Sequence, residues 1–362
     1  MYRGTLIDRR SFVRAAGLGF VAALSPRASL ALERADAVYA AGFRGPDGAY
    51  GAALVSEDGA IVARIDLPDR AHGLTHSAAT GRTVAFARRP GTFALVFDAS
   101  GRAEPVIINA VDGRHFFGHG HFSPDGRLLY ASENDFDGNR GMIGIYDAQD
   151  GFRRIGEFEA HGVGTHDMAT SDDGRLLIIA NGGMETHPDF GRTKLNIDRM
   201  QPSLVLLDAV TGERIEKHTL PAALSQLSTR HLAVADRGRI WFACQYEGPR
   251  NDTPPLIGRF ARGEDLSFIT LPEDTTIGLG NYVGAIAVNR RDSLVGVTSP
   301  KGGRMVTLDA ATGKVVGEQP VRDAAGIAPA LQGFAVSSYD GKFGNTQSAV
   351  AWDQHIVRTA VD

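Results

Sequence analysis

Cysteine is nearly absent from this chain. Cys244 stands alone among 362 residues, so no intramolecular disulfide can form and the fold must rest on its core. Neither sign of charge is in excess. A net charge of −4 offers no electrostatic footing for nucleic acid or an anionic membrane surface. The apolar run Ala15 to Leu24 is about ten residues, too short to span a bilayer. There is no GxSxG elbow, no GxGxxG after a strand and no HExxH pair, so the common local signatures of nucleophilic, dinucleotide and zinc chemistry are missing. Cys244 falls where a second strand ends, a position that suits a structural residue rather than a nucleophile.

What is present begins with Arg9-Arg10-Ser11-Phe12 ahead of that apolar run, with small residues at Ser29 and Ala31. A basic start, a short apolar segment and a small-residue site describe an export signal, and the paired arginines point to the twin-arginine route. Residues 1–31 are expected to be this signal, leaving a domain of residues 32–362 in the periplasm.

A phrase of roughly forty-five residues then recurs. Two clear copies are GHGHFSPDGRLLYASENDFDGNRGMIGIYDAQDG (118–151) and GTHDMATSDDGRLLIIANGG…PSLVLLDAVTGER (164–214). Each reads strand, Asp-Gly turn, strand, loop, strand ending in Asp, Gly turn, strand. The 44 glycines suit a chain that turns every few residues. Continuous apolar runs such as VLLD fit strands covered on both faces by neighbouring blades. This period predicts an all-β fold, a seven-bladed β-propeller of four-stranded blades. A closing blade shared between the two chain ends would remove exposed sheet edges.

In such a blade the first and third turns lie on one face of the disc, and here they are monotonous: SPDGR, SDDGR, DASGR, DAVTG. The other connections are long, varied and polar, and loops on a rigid frame are where function resides. Nine of the eleven histidines (72, 76, 115, 119, 121, 161, 166, 187 and 231) fall in or beside them, whereas His218 and His355 lie elsewhere. His76, His119, His121, His166 and His231 sit near the starts of innermost strands, so their rings are expected to converge at the channel mouth. Neutral imidazole is the commonest transition-metal ligand, and such a group would suit copper, iron or zinc, iron or copper being the expected cofactor. Glu133 and Asp167 are candidate ligands or acceptors behind the imidazoles. The bland alternative is that each histidine braces its own backbone.

The loop 181–202 is long for a compact domain and carries Asn181, His187, Asp189, Arg192, Lys194, Asn196 and Asp198, the pattern of a lid, a docking surface or an ordered spacer. Arg230, with Arg192 and Lys194, would suit a carboxylate or phosphate, or form a solvated rim.

The segments GHGHFSPDGRLLYASENDFDGNRGMIGIYDA, GTHDM, NGGMETHPDFGRTKLNID, STRHLAV and WDQHIVR resemble the bacterial family known as domain of unknown function 1513. The likeness runs over nearly all of residues 32–362. It implies a twin-arginine-exported, seven-bladed propeller like the heavy chain of amine dehydrogenases. It also implies company: imelysin-type peptidases and a dihaem protein, in settings that look like periplasmic iron acquisition. The family brings no established catalytic residues. The positions shared with its motif are His119, His166, Asn181, Gly182, Gly183, His187, Pro188, Asp189, Arg192, Asn196 and Asp198.

The expectation is therefore a monomeric periplasmic binding or scaffold protein accessory to iron handling, more a binder than an enzyme. The rival is a lactonase-like propeller hydrolase using a divalent cation at the same mouth. A platform that holds neither metal nor substrate, only partner proteins, is a third reading.

Overall fold

The computed structural model describes residues 38–360. Seven four-stranded antiparallel sheets form a ring, the β-propeller expected from the repeat. The innermost strands are Ala71–Ser77, Arg114–Phe122, Thr165–Thr170, Leu227–Val234, Ala285–Asn289, Ala324–Pro329 and Ala351–Arg358, each packed on the next around the axis. Ring closure is made by mixed chain ends. The C-terminal strand Ala351–Arg358 is innermost, and Tyr39–Arg44, Tyr50–Val55 and Ile61–Leu67 follow it outward. The signal proposed for residues 1–31 lies outside the described residues. Among the described residues no helix is long and apolar enough to cross a membrane.

The recurring turns fold as their residues dictate. In SPDGR and SDDGR the serine hydroxyl donates to the aspartate two positions on, at 2.6 Å in both Ser123–Asp125 and Ser171–Asp173. Gly126 and Gly174 take the positive φ that closes each turn (70° and 69°). Between blades the strands bury large side chains, among them Trp241, Trp352, Phe86 and Phe116. Near the axis the regular ladder of the inner strands is interrupted.

That interruption is a set of β-bulges. Six of the seven inner strands slip register against their neighbours: between Ala71 and Leu74, Phe116 and Gly120, Thr165 and Asp167, Thr229 and His231, Ala324 and Ile327, and opposite Gly42 between Trp352 and Ile356. A bulge leaves residues out of the ladder and re-aims their side chains. His72, His119, His166 and His355 lie within these slips, and His231 borders one.

Candidate metal centre

The bulges of five adjacent blades turn five imidazoles onto one another. His119 is central: its ring centroid lies 4.9 Å from His72, 4.9 Å from His166, 5.6 Å from His231 and 4.7 Å from His355. The perimeter closes through His72–His355, His231–His355 and His166–His231, each at 4.9 Å, and His72–His166 at 5.4 Å. His119 takes the middle because its strand carries the wide slip from Phe116 to Gly120. Two glycines make room for it. A Cβ on Gly73 would stand 2.5 Å from the Gly118 carbonyl oxygen and 2.6 Å from His119 Nδ1. A Cβ on Gly118, whose φ is +107°, would strike the His72 ring. Gly73→Ala is expected to displace the His119 ring and weaken metal binding at least tenfold, read by competition with a chromophoric chelator while the melting temperature reports the fold.

Four of these rings are buried, and their nitrogens are short of partners. His72 Nδ1, His119 Nε2, His166 Nε2, His355 Nε2 and both nitrogens of His231 have no hydrogen-bond partner in the protein. Buried polar atoms are ordinarily paired, so six orphans on five mutually packed rings make this cluster a candidate ligand set for a metal ion. Two groups, His72–His119–His166 and His119–His231–His355, each hold their ligand atoms within 4.8 Å of one another. Metal–nitrogen bonds of about 2.1 Å span up to about 4.2 Å between two ligands. That limit holds for opposite ligands; three around one ion stand roughly 3.4–3.6 Å apart, so groups at the 4.8 Å bound would draw in by about an ångström.

Burial holds the set neutral, the form that ligates. Desolvation drives His72, His119, His166 and His231 well below the usual imidazole value, and the charge of a neighbouring imidazole or of Arg230 pushes the same way. His355 is lowered to about 4, again by burial. Behind His119, Asp167 Oδ1 lies 3.3 Å from Nδ1, so that ring presents Nε2 to the centre, as in carboxylate–histidine–metal relays. Asp167 also accepts the backbone N–H groups of Met168 (2.8 Å) and Leu232 (3.0 Å), yet burial lifts its carboxyl to about 7. His166 differs. Arg230 Nη1 lies 3.2 Å from His166 Nδ1, and because a guanidinium only donates, the His166 proton sits on Nε2. A metal at that nitrogen requires Arg230 to let go.

Above the rings, on the face of the long loops, a cavity of about 200 Å³ opens between His72 and His166. Its wall carries Arg88, Arg89, Arg192, Lys194, Arg230 and Lys301 against the carboxylate of Glu247.

A model of the family described as "Protein of unknown function (DUF1513)" matches residues 65–359. The chain belongs to this family. The matched span contains all five histidines and the basic wall above them. No curated protein matches the chain in sequence. Among solved structures, hydrazine synthase from Kuenenia stuttgartiensis is similar in fold (TM-score 0.61, 13% identity, 88% of this chain and 95% of that one). So is a chain of a nidogen/laminin complex (TM-score 0.54, 10% identity, 89% and 98%). At these identities the likeness concerns the fold alone.

The structure divides the residues singled out in this DUF1513 sequence. His119, His166 and His231 are in the cluster, joined by His72 and by His355, which sequence reasoning had set aside. His76 and His121 stand elsewhere. His76 Nδ1 lies 2.9 Å from Thr83 Oγ1, and His121 Nδ1 is 2.9 Å from the Phe122 carbonyl and 3.1 Å from Thr170 Oγ1. Both line a separate cavity beside the Ser123 and Ser171 turns, on the opposite face. Glu133 does not approach the axis. It is buried within its own blade, accepting from Tyr146 (2.7 Å) and Arg154 (2.9 Å). Removing it would leave Arg154 paired with Glu157 alone (2.7 Å) and the Tyr146 hydroxyl without its acceptor, so Glu133→Ala is expected to cost about 1–3 kcal/mol in urea melts and leave metal content unchanged.

Loop 181–202 is ordered by its own polar groups. Asn196 bonds Glu185 N (2.8 Å) and the Gly183 carbonyl (2.9 Å), and Asn181 bonds Thr165 (2.6 Å) and the Ala160 carbonyl (2.9 Å). His187 caps the turn Pro188–Phe190 by accepting from Asp189 N. Asp189 and Asp198 are exposed, away from the rings. Arg192 and Lys194 are what the loop contributes to the mouth, Arg192 donating to the Arg89 carbonyl (3.2 Å) and Lys194 pairing with Glu247.

Proposed function

We propose that this propeller is an exported metal-binding protein, accessory to iron handling, that holds one divalent first-row ion in the five-histidine centre. The observation that carries the reading is the convergence of bulged histidines from five blades with six ring nitrogens unpartnered. An all-imidazole donor set suits copper, zinc and ferrous iron, whereas ferric iron prefers oxygen ligands. Iron would therefore be held here as Fe(II), and copper, with the highest intrinsic affinity of the series, is its strongest competitor. The twin-arginine signal supports loading before export, and the family's company supports iron as the cargo. A lactonase-like hydrolase draws less support: Glu247, the carboxylate of the mouth, is engaged by Lys194 and Arg230.

Metal analysis of the full chain after anaerobic incubation with Fe(II), and separately with Cu(II) or Zn(II), tests this. About one equivalent is expected, retained in His76→Ala and His121→Ala and lost in His355→Ala. No stoichiometric ion with any of the three, or equal loss in all three variants, would overturn the reading. Turnover of lactones or esters by the loaded protein would favour the hydrolase.

A further inference from the structure

The vestibule above the centre is too basic to serve only as an entrance for a cation. Arg88, Arg89, Arg192, Lys194, Arg230 and Lys301 line about 200 Å³, with Glu247 as their acidic counterpart. Glu247 is already committed: one oxygen pairs with Lys194 and the other lies 3.8 Å from Arg230 Nη2. Arg230 is buried and its Nε has no partner. The Arg88 Nε, also buried, has none. Arg89 is 9% exposed. Burial, followed by the charges of Arg230, Arg192 and Arg88, lowers it to about 9. Guanidinium groups crowded together in this way repel one another, and holding them so is costly without a counter-charge.

A metal below would sharpen the imbalance. Five neutral imidazoles bring no negative charge to a divalent ion, and Asp167 is the carboxylate that stands against them. We infer that the vestibule binds a small polyvalent oxyanion, a di- or tricarboxylate or phosphate, which neutralises the arginines and caps the metal. The pairing with metal rests on the reading above; the anion site itself does not. Guanidinium forks match the planar oxygens of carboxylate and phosphate, and Gln245, Tyr282 and Gln354 add neutral polar groups to the wall. The cavity is smaller than the 300–1,000 Å³ or so of sites for drug-sized ligands, which sets the size class. Arg230 links the two sites: an anion that draws it upward releases His166 Nδ1 for its own proton and frees Nε2 to ligate. Metal and anion should therefore each raise the affinity for the other.

The test titrates the full chain calorimetrically with citrate, malonate and inorganic phosphate at near-physiological salt, metal-free and then with one equivalent of Zn(II). For the Zn(II) arm malonate and phosphate are used, because citrate would strip the ion. Saturable one-site binding in either state is expected, weakened about tenfold or more in Arg89→Gln. The rim variant Arg192→Gln/Lys301→Gln alters exposed residues alone and is expected to show a comparable loss with an unchanged melting temperature. Tighter binding of the carboxylates or of phosphate identifies the class. Absence of binding by every anion tested in each state, or binding that both variants leave intact, would overturn the site. Metal-free binding of an anion by a protein that takes up no metal would keep the vestibule and remove the metal reading; His355→Ala, expected to lose metal but keep the metal-free anion affinity, makes the same separation.

Discussion

The metal-free protein will lose stability steeply as pH falls from about 6.5 toward 4. In the unfolded chain each histidine titrates near its ordinary value of 6.5, whereas in the fold His355 is held to about 4 and His72, His119, His166 and His231 well below 6.5. In that window the unfolded state binds more protons, so stability rises with pH. It is fully present above about 6.5 and is drained on acidification. Each such group contributes about 1.4 kcal/mol per pH unit. Asp167 acts in the opposite sense. Its folded value of about 7 lies above the ordinary carboxyl value of 3.8, so the folded state takes up that proton first and regains stability as pH drops. One of five protons is thereby cancelled, and His76, His115 and His121, also lowered by burial, add to the histidine side. The net slope is roughly 5 kcal/mol per pH unit or more, against a total stability of about 5–15 kcal/mol for an ordinary domain. Urea melts of chelator-treated protein from pH 7.5 to 4.5 should show the midpoint collapsing near pH 5. Replacing His231, which has neither ring nitrogen partnered, by leucine should flatten the slope by about one proton. A midpoint indifferent to pH down to 5 would mean that the rings are hydrated and do not form a closed cluster.

The ring of blades could be read from the chain because its signals are local and repeated: an Asp-Gly turn, an alternating or wholly apolar strand, the same spacing again. The shared closing blade followed from the unmatched strands at either end. The centre was only half legible, and the reason is backbone register. A strand places residues i and i+2 on one face but about 7 Å apart along its length, so His119 and His121 point to the axis at different levels. Nearness to the start of an inner strand was too coarse a measure, and it grouped His76 and His121 with a cluster that lies on the other side of the disc. His72 and His355 were hidden for a related cause. Each lies in a bulge, where residues left out of the ladder are re-aimed: one extra residue between Ala71 and Leu74, two between Trp352 and Ile356. Nothing in WDQHIVR marks where that slip falls, and the innermost position of this strand depends on how the ring closes. A usable signal was Gly73 beside His72 and the Gly-His-Gly run 118–120, since glycine flanking a histidine in a strand marks a bulge or a close approach. Glu133 misled because the strand Leu128–Asp135 continues through a segment that reads as loop, which turns its carboxylate into the blade.

Among single histidine replacements, His119→Ala will weaken metal binding most. His119 contacts all four other rings and belongs to both three-histidine groups. Without it neither group keeps three ligands. Loss of His72 or His166 leaves His119–His231–His355 whole, and loss of His231 or His355 leaves the group that depends on Arg230 releasing His166. The expected order of damage is therefore His119 first, then His231 and His355, then His72 and His166. Residues behind the ligands are commonly worth about 10–100-fold in metal affinity. Asp167→Asn should fall in that range, because an amide oxygen still faces His119 Nδ1 but brings no negative charge to the imidazole or its ion. His119→Ala should exceed it, by more than about 100-fold, and at a cost in stability, because it opens a cavity and takes from buried Asp167 the imidazole it faces. Competition with a chelator of known affinity gives the ratios, and the spectrum of the Cu(II) form reports whether the remaining rings still ligate. Equal losses for His119→Ala and His166→Ala would show that the ion sits between His72 and His166 under Arg230, rather than in the group His119 forms with His231 and His355.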